Sequence, residues 1–64
     1  MKLNGEYIAL KEEKNLSLFL EKEGYHINLI AVLLNNEVVP RAEIGNVIIN
    51  NDDNIEVLCF VGGG

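Results

Sequence analysis

Tryptophan is absent from the sequence, proline and cysteine occur once each, and phenylalanine and tyrosine together number four. The single thiol, Cys59, has no partner for an internal disulfide or a Cys-based zinc site, which sets aside the secreted mini-protein class and fits a reducing cytoplasm. With so few aromatics, 64 residues hold little to wall an enclosed substrate cavity, which typically needs about 300 Å³ or more. A self-contained enzyme is not expected. Bases are scarce, five against ten acids, and the formal charge of −5 has the wrong sign for phosphates or an anionic membrane surface. Nucleic acid and membrane are therefore not expected as partners. The longest apolar run, residues 29–34, falls far short of the roughly 20 residues that span a bilayer. No basic segment followed by an apolar run opens the chain. A soluble, untargeted, cytoplasmic protein is expected. His26 has no second His or Cys near it and reads as a surface or boundary residue, not a metal ligand.

Aliphatic residues make up most of the 48% hydrophobic content. A chain this short has room for one core. Asn4-Gly5 is a strong hairpin signal, because both residues tolerate the positive φ of a type I′ turn; strands are expected over residues 1–3 and 6–10. Leu16, Phe19 and Leu20 then recur at helical spacing, with Asn15 able to cap and Gly24 able to take the left-handed position after the end. The spacing predicts one helix over residues 16–23. Residues 27–34 are nearly all apolar with β-branched members and predict a central strand. Asn35-Asn36 turns the chain into a short strand at 37–39, which Pro40 ends or confines to an edge. Residues 41–46 read as a turn or one short helical turn, 47–49 as another extended piece, 50–54 as a polar turn, and 55–61 as the last strand. Strands on both sides of one helix imply a two-layer α+β domain, with a mixed sheet of four to five strands and the helix packed on one face. That order is the β-grasp arrangement of ubiquitin. Residues 1–61 form the single domain in this reading, and Gly62, Gly63 and Gly64 a flexible C-terminal tail.

Three stretches resemble the sulfur carriers of thiamin thiazole biosynthesis, the ThiS family, with the small subunit of molybdopterin synthase and ubiquitin as more distant relatives. They are Met1-Lys2-Leu3-Asn4-Gly5-Glu6, the run from Leu34 through Val38-Val39-Pro40-Arg41 to Glu43, and the end from Ile55 through Phe60-Val61-Gly62-Gly63-Gly64. Asn36 stands where the family often has Gly, and Asp52 occupies its Gly-rich turn before the last strand. Both are residue types that tolerate left-handed geometry better than most. The resemblance implies that the carboxylate of Gly64 is adenylated by an E1-like, ThiF-like adenylyltransferase using ATP. A persulfide derived from a cysteine desulfurase then supplies sulfur, and a ThiG-like thiazole synthase takes it from the resulting thiocarboxylate. The chain itself would bind no cofactor and would be a carrier, not an enzyme. Glycines suit such a tail, since without Cβ they can thread a narrow channel, and three of them reach about 10 Å when extended.

Strand alternation puts Ile55, Val57 and Cys59 on one face of the last strand and Leu58 and Phe60 on the other. Cys59 is therefore expected as a small core residue. Leu58 and Phe60 are expected to be exposed beside the tail if no helix covers their face, and they are the candidate partner-binding residues. Glu12-Glu13, Glu21 and Glu23 read as solvated charge. Arg41 is open between orienting the tail, meeting an activating enzyme, and simple surface charge. Two other functions remain compatible with the sequence. One is a protein modifier joined through Gly64 to a lysine, or a carrier serving another pathway such as molybdopterin. The other is a noncovalent β-grasp interaction module.

Overall fold

The first hairpin forms where two residues adopt positive φ: Asn4 at 51° and Gly5 at 87° reverse the chain between β1 (Lys2–Leu3) and β2 (Glu6–Tyr7). The computed structural model describes residues 1–60. Two further elements, β3 (Lys14–Asn15) and the helix α1 (Leu16–Lys22), follow directly on one another. The Asn15 side chain caps the helix by accepting from the Leu18 N–H at 3.1 Å. At the other end Gly24, with φ 96°, donates to the Glu21 carbonyl and Tyr25 donates to the Leu20 carbonyl, both at 3.0 Å. That pair of bonds is a Schellman closure, available because glycine has no Cβ to clash in the left-handed region.

Residues 27–34 are not one strand. Ile27–Leu29 forms a 3-10 turn, η1, and only Ile30–Leu34 is the strand β4. An unbroken apolar run carries no mark that separates a 3-10 turn from an extended segment, so sequence pattern overextended this strand. The first hairpin was likewise overextended, since β2 stops at Tyr7. Asn35 and Asn36, with φ 52° and 71°, turn β4 into β5 (Glu37–Val39), so Asn36 takes the left-handed geometry expected of it. Asp52 makes its turn without positive φ, so the tolerance of its residue type is not called on there. Past Pro40 come the 3-10 segment η2 (Arg41–Asn46), β6 (Ile48–Ile49) and β7 (Asn54–Cys59).

The main sheet has five strands in the order β2-β1-β7-β4-β5. Parallel pairing of β1 with β7 makes it mixed, and β7 runs antiparallel to β4 from Ile55 opposite Leu34 to Cys59 opposite Ile30. A second, two-stranded ladder joins β3 to β6. Two-residue strands have no alternation to read, so this pairing was invisible in the sequence. The helix covers one face of the main sheet with Leu16, Phe19 and Leu20, as its spacing predicts, and these pack with Ile30, Val32, Ile55, Val57 and Ile44. The result is a ubiquitin-like β-grasp.

Asparagine side chains close what short strands leave open. Asn51 accepts from the Leu10 N–H at 2.7 Å and donates to the Leu10 carbonyl at 2.6 Å, pinning the segment after β2. Asn4 accepts from the Val57 N–H at 2.8 Å and donates to the Tyr25 hydroxyl at 3.2 Å, continuing the β1 edge past its last residue.

Candidate functional site

Two neighbours of unequal length determine what β7 exposes. β4 flanks it along its length, but β1 pairs with it only at Asn54 and Ile55. Beyond Val57, which Asn4 still reaches, nothing among the described residues pairs with the other flank of β7. Leu58 is accordingly 56% exposed and Phe60 61% exposed. Leu58, near the end of β7, is thus exposed on the sheet face that α1 does not cover, and Phe60, the residue after the strand, is exposed as well. The tail residues Gly62, Gly63 and Gly64 lie outside the described residues, as does Val61.

Cys59 departs from its expected place in the core. It points to the helix side by alternation, yet it is exposed. It occupies the last position of β7, past Val57, the last residue of that strand to reach the core beneath α1. Alternation assigns a side chain to a face but does not tell how far the cover on that face extends.

Cross-strand pairing enlarges the patch. Leu58 lies opposite Ala31, and Leu33 lies between Glu56 and Val38. Ala31 and Leu33 are partly buried, while Val38 is 69% exposed. An apolar band therefore crosses three strands from Val38 to Leu58 and Phe60, with the Glu56 carboxylate set among them. Sequence reasoning missed Val38 and Leu33. The signal was present in Val38-Val39, where Val39 pairs with the buried Val32 and alternation turns Val38 outward.

Charge is distributed unevenly over the molecule. An open groove of about 580 Å³ on the helix side is bordered by Lys11, Lys14 and Lys22 and by Glu12, Glu13 and Glu23. These six cancel, so the formal −5 lies elsewhere, where Lys2 and Arg41 stand against seven acids that include Glu56, Glu37 and Glu43. His26, Glu12, Glu13, Glu21 and Glu23 are exposed, as expected.

Arg41 is occupied. Its Nε donates to the Ile27 carbonyl at 3.3 Å and one terminal nitrogen donates to the Ile30 carbonyl at 2.7 Å. Among the described residues no group of three or more His, Cys, Asp or Glu side chains is placed to hold a metal ion. No helix there is long and apolar enough to cross a membrane.

A small β-grasp body with an apolar open face running into its C-terminal strand defines a protein of the ubiquitin-like class. Its fold matches the crystal structure of a thiamine biosynthesis protein (ThiS) from Geobacter metallireducens with a TM-score of 0.80 and 27% identity, over 98% of this chain and 96% of that one. The ThiS family profile covers residues 1–64, and the chain belongs to the ThiS family. It is also 31% identical over 62 residues to a thiazole synthase of Paramagnetospirillum magneticum and 39% identical over 62 residues to one of Magnetococcus marinus. It spans 97% of its own length but only 19% of the length of each of those proteins. An uncharacterized protein, ycf40, of Porphyra purpurea is 28% identical over all 64 residues, which make up 90% of its length.

Proposed function

We propose that the chain is the sulfur carrier of thiamin thiazole biosynthesis and that its working group is the C-terminal carboxylate of Gly64. The observation that carries this reading is the family match over residues 1–64, which includes Gly62-Gly63-Gly64. A carboxylate is a poor electrophile, so sulfur transfer requires a better leaving group than oxide. The Gly64 carboxylate attacks the α-phosphorus of ATP on a ThiF-like adenylyltransferase, releasing pyrophosphate and forming an acyl-adenylate. A persulfide, supplied through a cysteine desulfurase, displaces AMP to give an acyl disulfide. A thiol then cleaves its S–S bond, leaving the thiocarboxylate and a new disulfide. A ThiG-like thiazole synthase accepts the sulfur, and hydrolysis restores the carboxylate. The chain is a co-substrate in every step and binds no cofactor; ATP belongs to the activating partner. It works in the cytoplasm, away from nucleic acid and membrane.

Two observations support the partners. In proteins named thiazole synthase, a stretch similar to this chain occupies 19% of the length. Joining a carrier to its acceptor in one chain raises their effective concentration, which favours a ThiG-like synthase as acceptor here. The apolar band around Leu58, Phe60 and Val38 offers a docking surface, and Glu56 within it together with the net charge of −5 favours a basic rim on the partner. ATP–pyrophosphate exchange by a ThiF-like adenylyltransferase tests the activation step. Exchange should require this chain and should vanish when Gly64 is removed. Exchange that proceeds equally with the truncated chain would contradict the assignment.

A further inference from the structure

We propose that Arg41 is a positioning residue for the reaction at Gly64, because it braces the turn against which the last strand ends and so sets where the tail leaves the body; the proposal rests on the carrier reading above. The last described backbone bond before the C-terminus runs from the Phe60 N–H to the Leu29 carbonyl, at 2.7 Å. Leu29 closes η1, a 3-10 turn whose N-cap residue, His26, makes no side-chain cap bond. Short 3-10 turns have poor hydrogen-bond geometry and little stability of their own. The guanidinium of Arg41 holds the carbonyls on both sides of Leu29, those of Ile27 and Ile30. Among the described residues no other side chain hydrogen-bonds the backbone of residues 26–30. Among the described residues nothing pairs with the opposite flank of β7 at this level, and the backbone bond that locates Phe60 comes from the Leu29 side.

Arginine suits the task because its planar fork presents donors in fixed directions to two acceptors at once. Pro40, with φ −56° and ψ 140°, starts the segment that delivers it. Lysine could reach one carbonyl but not span both with a rigid fork. Loss of the brace should leave Leu58 in its ladder with Ala31 and so leave docking largely intact. It should instead blur the starting point of the chain that carries the reacting carboxylate, and a misplacement of about 1 Å can cost a factor of roughly a hundred in rate.

The test compares the parent, Arg41→Gln and Arg41→Lys in two measurements. Amide hydrogen exchange of the chain alone reads the brace. In Arg41→Gln the Phe60 amide should exchange about tenfold faster, while the Val57 amide, held by Asn4, should not change. Steady-state adenylation with a ThiF-like enzyme reads the consequence: kcat should fall about tenfold with KM for the chain within about twofold, and Arg41→Lys should fall between parent and Arg41→Gln in both readouts. Unchanged exchange at Phe60 would overturn the brace. A raised KM with unchanged kcat would overturn the positioning role and make Arg41 a partner contact, and faster exchange with unchanged kinetics would overturn it too. Because Arg41 is exposed, both variants should fold; if Arg41→Gln does not, Arg41→Lys decides alone. A parent chain that is not adenylated would overturn the carrier reading, and the exchange data would still decide the brace.

Discussion

Leu58→Asp separates docking from folding, and its effect follows from exposure on the two faces of β7. Fully burying a leucine side chain is worth about 1.5–3 kcal/mol. Leu58 is 56% exposed, so roughly half of that gain remains for a partner. The docking contribution is then about 0.8–1.5 kcal/mol, or roughly 4- to 12-fold in Kd. An aspartate carries a charge into the same contact, beside the Glu56 carboxylate and without a partner, which adds to the loss. Association with a ThiF-like adenylyltransferase should therefore weaken by at least about tenfold. Stability should change little, since surface substitutions usually stay within about 0.5 kcal/mol. Ile55, on the covered face of the same strand, is fully buried and provides the contrast. Ile55→Ala should cost about 2–5 kcal/mol, a drop in Tm of roughly 10–30 °C for a domain this small. Calorimetric titration gives the affinities and a melting curve gives the stabilities. If Leu58→Asp melts as low as Ile55→Ala, or binds as tightly as the parent, the assignment of the two faces is wrong.

Asn51→Ala removes both bonds that hold the Leu10 backbone and should lower stability by about 1–3 kcal/mol, read from thermal melting. Asn15→Ala removes the bond to the Leu18 N–H at the start of α1 and should cost about 1 kcal/mol, while Asn15→Ser should restore most of it. Because the net charge of −5 lies outside the balanced groove, partner affinity should fall as salt rises from about 0.05 to 0.5 M, and Glu56→Gln should flatten that dependence.

The parts of the fold that were legible in the sequence are those with a local mechanism. Asn4-Gly5 and Asn35-Asn36 announced their turns through residue types that tolerate positive φ, and Asn15 with Gly24 bracketed a helix whose Leu16, Phe19 and Leu20 all reach the core. Alternation correctly separated Leu58 from Ile55 and Val57. The errors came where the answer depends on a distant neighbour. Cys59 is exposed because the core beneath α1 ends at Val57, and the 3-10 turn Ile27–Leu29, closed by its own Leu29 N–H to His26 carbonyl bond, is also held by Arg41 and Phe60 from outside the run. The β3–β6 ladder and the clamps made by Asn4 and Asn51 also join residues far apart in the chain. Polar residues in such roles read as loop composition until their partners are located. The tail is the reverse case: Gly62-Gly63-Gly64 stands out in the sequence yet lies outside the described residues.

The central claim is that Gly64 presents a carboxylate that becomes a thiocarboxylate, and intact mass after incubation with ATP, a ThiF-like adenylyltransferase and a persulfide donor with excess thiol tests it most directly. The full chain should gain the mass difference between one sulfur and one oxygen atom, and lose it again when a ThiG-like synthase and its substrates are added. A chain ending at Gly63 places its carboxylate about 3.5 Å short of the full reach and should gain nothing, while its Tm stays that of the parent. Normal thiolation of the shortened chain, a branched peptide linking Gly64 to a lysine, or no change of mass in the full chain would each contradict the account.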